Sequence, residues 1–254
     1  MSRIETIKPM ARLYTRTIVR SRRTLFAGFF VTLPLLFFVI AAFTFEGDDF
    51  ARLGLFSTFQ FTGTLGMILP FAALFLGLAV VSEELDNGTM VYLLIRPFTR
   101  SGMLLGRALA ASVLLFAALT VLNLLLLAVT RPASAMTAFM AAEFALLLGI
   151  VAYLAAFTLI AVLFRKPVAP ALVYLIAWDM GISALDFSLR HASIRFNILN
   201  LYRSLVEIPI KYNSVMGKIW ELCNAPALQS VLILAGMVVV FWGVSVYRFN
   251  RFQL

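Results

Sequence analysis

Residues 103–129 read MLLGRALAASVLLFAALTVLNLLLLAV, a long apolar run whose single charge, Arg107, stands near its start. A helix of about 20 residues crosses a hydrocarbon core of roughly 30 Å, and this run is long enough to do so. A strand of a membrane barrel would be about half as long and would alternate apolar with polar side chains. The run therefore reads as a transmembrane helix, the form that satisfies its own backbone hydrogen bonds within lipid. Outward from it the same pattern recurs at 25–45, 61–82, 141–164, 167–187 and 227–247. Composition agrees: 62% of the 254 residues are hydrophobic and 13% are charged, far from the balance of a soluble domain. The expectation is an all-α membrane protein, one transmembrane domain over 1–254 with six spanning helices.

The stretch just before the quoted run, residues 81–100, is VSEELDNGTMVYLLIRPFTR. Glu83, Glu84 and Asp86 cannot stay in hydrocarbon, so the preceding span leaves the membrane there. Asn87 and Gly88 tolerate positive φ and mark a turn. Thr89 is placed to cap a short helix that Pro97 closes. Two helical turns between breakers do not hold alone in water. Yet Met90, Leu93 and Leu94 share one face, so this helix must bury itself against the bundle, the lipid surface or another protein.

Two further segments lie outside the spans. Residues 4–23 place Ile4, Ile7, Met10, Ala11, Tyr14 and Ile18 at helical spacing, with Lys8, Arg12, Arg16 and Arg20 on another face. This is the pattern of an amphipathic helix lying on a membrane surface, although plain topogenic charge would also account for the basic residues. Residues 188–226 are long and half apolar. Ile194, Ile198, Leu201 and Leu205 form a stripe that Pro209 ends, and SVMGKIWELC suggests a second short helix. The expectation is a pair of amphipathic helices at or dipping into the outer interface.

The formal charge of +9 comes from 21 Lys and Arg against 12 Asp and Glu. With six spans, one orientation puts 14 of the 21 in the cytoplasm, which favours cytoplasmic termini. Basic side chains beside anionic lipid account for the excess, so no nucleic-acid partner is invoked. A full-length first span without a small-residue cleavage site reads as a retained anchor. The one cysteine, Cys223, and the one histidine, His191, cannot build a Cys/His metal site within one chain.

Among charged residues inside the spans, Asp179 stands out. It falls about twelve residues into its run, past mid-bilayer, where a carboxylate is costly. Three readings stay open: a hydrogen-bonded Asp within the bundle, beside Asn123, a group lining a cargo passage with Asn123, or mere placement near the outer interface. Glu143 reads as interfacial. Pro34, Pro70 and Pro170 can each loosen a span. No GxxxxGK[ST] phosphate loop occurs, so the chain does not bind ATP by that route. A catalytic constellation inside the membrane is also missing, because His191 lies outside the spans and Asp179 and Asp186 are seven residues apart.

The order of acid, Gly88-Thr89, a Leu-rich short helix, Pro97 and Arg100, then Gly106 and Arg107, resembles the E…GT…LL…P…R…GK pattern of bacterial ABC transporter permeases of the type-2 exporter class. NILNLYRSL, residues 197–205, is similar to the NP…YR segment in the outer loop of the permease used in nitrous-oxide-reductase maturation. Arg107 stands where the family commonly has Lys, Arg96 falls within the docking helix, and the preamble ARLYTR lacks the frequent ARKE acid. The resemblance implies a coupling helix in 83–100 that docks on a separate ATP-binding subunit. Glu83, Glu84, Gly88, Thr89, Leu93, Leu94, Pro97 and Arg100 would form that contact. It further implies ATP-Mg on the partner and no cofactor in this chain. Two copies of the ATPase would serve two membrane subunits, expected as a homodimer in the bacterial inner membrane, where an extracytoplasmic partner protein could also contact the outer loop. The competing class is a secondary transporter or channel working without an ATPase. It would be expected to show inverted repeats and several ionisable groups within the membrane.

Overall fold

The structure is a computed structural model. It describes residues 48–87, 100–131, 135–183, 185, 188–206 and 215–251, together with isolated helical positions at 28, 32, 36 and 40. The expected interfacial helix at 4–23 and most of the expected first span lie outside the described residues.

Every regular element among the described residues is helical. A single run of helix begins with α1 (Asp49–Thr58), passes through a π-helical segment (Phe59–Ile68) and continues as α2 (Leu69–Asn87). Then come α3 (Arg100–Thr130), α4 (Met136–Leu163), α5 (Val168–Val173), a second π segment (Tyr174–Met180) and α6 (Gly181–Ser183). After a 3-10 turn (Ser188–Ala192) the chain forms α7 (Ile194–Leu205), α8 (Val215–Leu222) and α9 (Ala227–Asn250). Among the described residues, four stretches are long and apolar enough to cross a membrane: Ala51–Val80, Leu104–Thr130, Met136–Leu163 and Ala227–Phe249. A shorter apolar helix covers Val168–Ser183.

The span expected at 61–82 starts about a dozen residues earlier than its sequence suggests. Asp48 and Asp49 are exposed at the start, as solvated charge should be, but Phe56 and Phe59 are already buried. The aromatic residues between them and the apolar run supply a core-facing side, so the helix extends where a short loop was expected.

Helices α2 and α4 form the centre, and α3 and α9 flank them with wide exposed apolar faces. Lipid offers little hydrophobic drive for helices to associate, so close packing through small side chains does that work. On α4 the stripe Ala138, Ala142, Ala145, Gly149, Ala152 and Ala156 repeats every three or four residues. A Cβ added at Gly149 would stand 2.7 Å from both Ile198 of α7 and Leu69 of α2. Glycine lets the three helices meet at that point without displacing either side chain.

The run expected as the fifth span departs most from expectation. It is broken, and the first apolar piece, Val168–Ser183, carries Asp179 to the level of Tyr153, seventeen residues along the 28-residue α4. α7 starts at that same level, because its cap Ser193 also touches Asp179. It then runs back toward the Met136 end of α4, with Ile198 opposite Gly149. Ile194–Tyr202 are all buried. The apolar stripe, expected at or dipping into an outer interface, packs against neighbouring helices, and the helix is covered on its polar face as well. The reason is local: the polar face of α7 finds hydrogen-bond partners in neighbouring helices.

Candidate functional site

Two polar networks lie among the helices. The first joins the halves of the broken crossing. The Asp179 carboxylate is fully buried. Its Oδ2 accepts from Tyr153 Oη at 2.5 Å, and its Oδ1 accepts from Ser193 Oγ at 2.9 Å and from the Arg195 backbone N–H at 3.1 Å. Ser193 is the N-cap of α7 and its hydroxyl also accepts from Phe196 N–H at 3.1 Å. The carboxylate therefore sits on a helix N-terminus, where free N–H groups and the helix dipole both favour an anion.

Arg195 completes this network. Its Nε donates to the Gly66 carbonyl at 3.0 Å and its Nη1 to Ser183 Oγ at 2.9 Å. The sequence explains why a helix carbonyl can accept. Pro70, four residues after Gly66, has no N–H to return, and the π segment shifts the backbone pairing of the turns before it. A Cβ at Gly66 would lie 2.9 Å from the Phe61 carbonyl and 3.4 Å from Arg195, so this position holds the guanidinium by being bare. Pro170 has a lesser effect: it occupies the first turn of α5, where no backbone N–H is required.

The rest of α7 is fixed by the residues that drew the comparison with an outer-loop motif. Asn197 donates to the carbonyls of His191 and Ser193, both at 2.7 Å. Asn200 donates to Ala225 O at 2.9 Å and Ser230 Oγ at 2.8 Å, and accepts from Ala225 N–H at 3.0 Å. Arg203 bonds the Cys223 carbonyl, and its guanidinium lies 5.5 Å from the Trp220 ring centre. This set pins the inserted helix to the turn that leads into α9. Burial pushes the Cys223 thiol up to about 12, with Arg203 only partly opposing the shift.

The second network spans the first π segment, α3 and α4. Gln60 Nε2 donates to Asn123 Oδ1 at 3.1 Å, and Asn123 Nδ2 donates to Glu143 Oε1 at 2.7 Å. Thr120 Oγ1 donates to Glu143 Oε2 at 2.6 Å. Gln60 and Asn123 are fully buried, whereas Glu143 and Thr120 are half-buried. Asn123 therefore meets Glu143 instead of Asp179, and the two residues singled out together belong to separate networks. Gln60, Thr120, Tyr153, Ser193 and Arg195 were not singled out from sequence. A polar side chain within an otherwise apolar run was the available signal for Gln60 and Tyr153.

At the far end of the bundle, Arg107 on α3 is buried and its Nη1 donates to the Val80 carbonyl on α2 at 2.9 Å. This bond ties together the two helices that bracket the charged stretch opening at 81. Glu83 and Glu84 fall within α2 and Arg100 opens α3. Gly88, Thr89, Leu93, Leu94 and Pro97 lie outside the described residues. Among the described residues no group of three or more His, Cys, Asp or Glu side chains gathers as a metal ion would require.

Comparison with curated proteins finds no match. Comparison with protein families does: residues 10–254 match the ABC-2 family transporter proteins, nearly the whole chain. A multi-pass helical bundle without a phosphate loop, matched over that extent, is the membrane subunit of a transporter whose family pairs it with an ABC ATP-binding subunit. The chain belongs to the ABC-2 transporter family, as a permease.

Proposed function

We propose that this chain is the membrane subunit of an ATP-driven exporter, with six spans and both termini on the cytoplasmic side of a bacterial inner membrane. Two copies work with two ATP-binding subunits that carry the ATP-Mg. Residues 83–100 form the coupling segment: Leu93 and Leu94 enter a cleft of the ATPase, Thr89 caps the helix, Gly88 and Pro97 bound it, and Glu83, Glu84 and Arg100 fix its flanks.

The observation that carries this reading is the bond from Arg107 to Val80. A push on the segment between α2 and α3 reaches both helices at once, because they are joined where they enter the bundle. The halves of the fifth crossing can then shift relative to the α2–α4 core as the ATPases close, a hinge transition biased by nucleotide. Asn123 remains in the proposed path through its bond to Glu143. Asp179, closed by three donors, is proposed as the group that holds the broken crossing together.

The experiment is to purify the tagged chain from native membranes in mild detergent and measure what accompanies it. A Walker-motif ATPase at one-to-one is expected. Leu93→Asp or Gly88→Pro should abolish that association and the ATP turnover that depends on it. Unchanged association and turnover in both variants would refute the coupling role.

A further inference from the structure

The turn that leads into α7 lies at a depth where lipid cannot cover it. Tyr153 stands seventeen residues from the Met136 end of α4 and ten from the Leu163 end, about 25 Å and about 15 Å at the helical rise. Asp179 is tied to that level, and the turn is tied to Asp179 and its neighbour. Ser193 Oγ donates to the Asp179 carbonyl at 3.1 Å, and Trp178 Nε1 donates to the Ala192 carbonyl at 3.5 Å. The 3-10 turn Ser188–Ala192 has five residues and extends about 10 Å, so it stops short of both ends of α4. A hydrocarbon core of roughly 30 Å centred on α4 contains all of it.

At that depth the turn is on the surface of the chain. None of its five residues is buried. Ser188 and Ala192 are exposed, Leu189 is 58% exposed, and Arg190 and His191 are half-buried. Phe196, buried on the first turn of α7, lies beneath both: the Arg190 guanidinium stands 5.2 Å from its ring centre, and the His191 ring meets it edge-on at the same distance. Both side chains rest on the rim of the bundle instead of inside it. Such a surface meets lipid, protein or water. Lipid is excluded, because irregular backbone at membrane depth survives only against protein or water, and a guanidinium is costly in hydrocarbon. The lipid-facing pattern is seen instead on α9, where Val239, twelve residues in, is 72% exposed on unbroken helix among Leu232, Val240 and Val244. A dry protein contact asks for an apolar surface, whereas Ser188, Arg190 and His191 make this one polar. Water is the medium that fits.

We propose that Ser188–Ala192 lines a water-filled passage reaching the middle of the membrane, with Arg190 and His191 on its wall, and that a second copy of the chain supplies the opposite wall. The second copy is required because one chain presents the turn on its outer surface. The inference rests on the permease reading and specifies its cargo path: the passage takes solutes that stay hydrated at mid-membrane.

The test places single cysteines in the full chain, with its co-purified ATPase, in phosphatidylcholine nanodiscs with and without ATP. Cys223→Ser removes the native thiol. On that background Ser188→Cys and Ala192→Cys put a thiol on the turn, and Val239→Cys puts one on the lipid-facing side of α9. Each protein is treated with a charged, membrane-impermeant methanethiosulfonate, and the remaining thiols are counted after denaturation. In at least one nucleotide state the two turn positions should react about tenfold faster than Val239→Cys, or more, because a thiol must be hydrated to ionise and attack. Rates as slow as that of Val239→Cys in both states would overturn the proposal. Protection in both states with a disulfide between copies under mild oxidation would overturn it too, by making the turn a dry contact. If Cys223→Ser does not fold, the wild-type background serves, with the buried Cys223 as the blank. Failure of the permease reading would show separately, as absence of the ATPase from the purified complex.

Discussion

Asp179 and Glu143 are both carboxylates on helices of an apolar bundle, and their surroundings differ in each respect that matters. Asp179 is enclosed, receives three hydrogen bonds and shares its network with the Arg195 guanidinium. Glu143 is half-buried, receives two bonds from neutral groups and continues into a chain that ends on an unpartnered oxygen. The first arrangement has every feature of a joint: it ties α4, the α5–α6 helix and α7, and reaches the α1–α2 helix through Gly66. The second joins only the first π segment, α3 and α4, and its inner end is a buried amide oxygen, Gln60 Oε1, without a hydrogen-bond partner. Depth alone, the criterion that singled out Asp179 from sequence, does not separate the two. Saturation of hydrogen bonds does.

The contrast is most exposed to failure at Arg195. Arg195→Met leaves the Gly66 carbonyl and Ser183 without their donor and Asp179 without a neighbouring cation. Removing one member of a buried charged set costs about 3–5 kcal/mol, so the variant should lose most of its folded yield. Thermal unfolding followed with a thiol-reactive fluorogenic dye reads this directly, because Cys223 is buried and is the chain's one cysteine. A variant as stable as wild type would mean the Asp179 network is not a joint.

Asp179→Asn should act less severely. The amide keeps an acceptor for Ser193 and Arg195 N–H but turns a donor toward Tyr153, a loss of about 1–3 kcal/mol. Transport per folded molecule and ATP turnover should stay near wild type. A stable Asp179→Asn protein with lost transport would reverse the assignment and return Asp179 to the cargo path.

Glu143→Gln sharpens the comparison from the other side. An amide can still accept from Thr120 or Asn123, and the position is half-buried, so stability should change by no more than about 1 kcal/mol. A fall as large as that of Arg195→Met would make Glu143 a second joint.

The smallest effect concerns Cys223. Its thiol lies between α8 and α9 and is pushed from 9.0 up to about 12, chiefly by burial. The folded state therefore holds this proton more tightly than the unfolded chain. The associated stability is complete below the unfolded value and is lost as pH rises from about 9 toward 12. At pH 8 the native protein should react with maleimide far more slowly than the denatured chain. Rapid native labelling would show that the turn pinned by Asn200 and Arg203 opens readily.

Much of this was legible in the sequence and some was not. Uninterrupted apolar runs announced membrane helices at 103–129, 141–164 and 227–247, and helices cover them all but for the last residue of the second, because length and apolarity are local properties. The motif from Glu83 to Arg107 indicated the family, since residue order at fixed spacing can be read without contacts. The small-residue stripe on α4 was also present in the letters, but its partners, Leu69 and Ile198, were not.

The break in the run expected as the fifth span was decided by tertiary structure. By its letters 167–187 is an adequate span and 194–205 an adequate surface helix. What moves α7 inside is that Ser193, Arg195, Asn197 and Asn200 find partners on Asp179, Gly66, His191 and Ala225, one of them, Gly66, 129 residues from Arg195. The same holds for the pairing of Asn123 with Glu143 instead of Asp179. The sequence by itself determined that this chain is a bundle of membrane helices with a charged stretch between two of them. Which polar groups meet, and so which carboxylate is enclosed and which is half-buried, depends on distances between helices that no single run of residues contains.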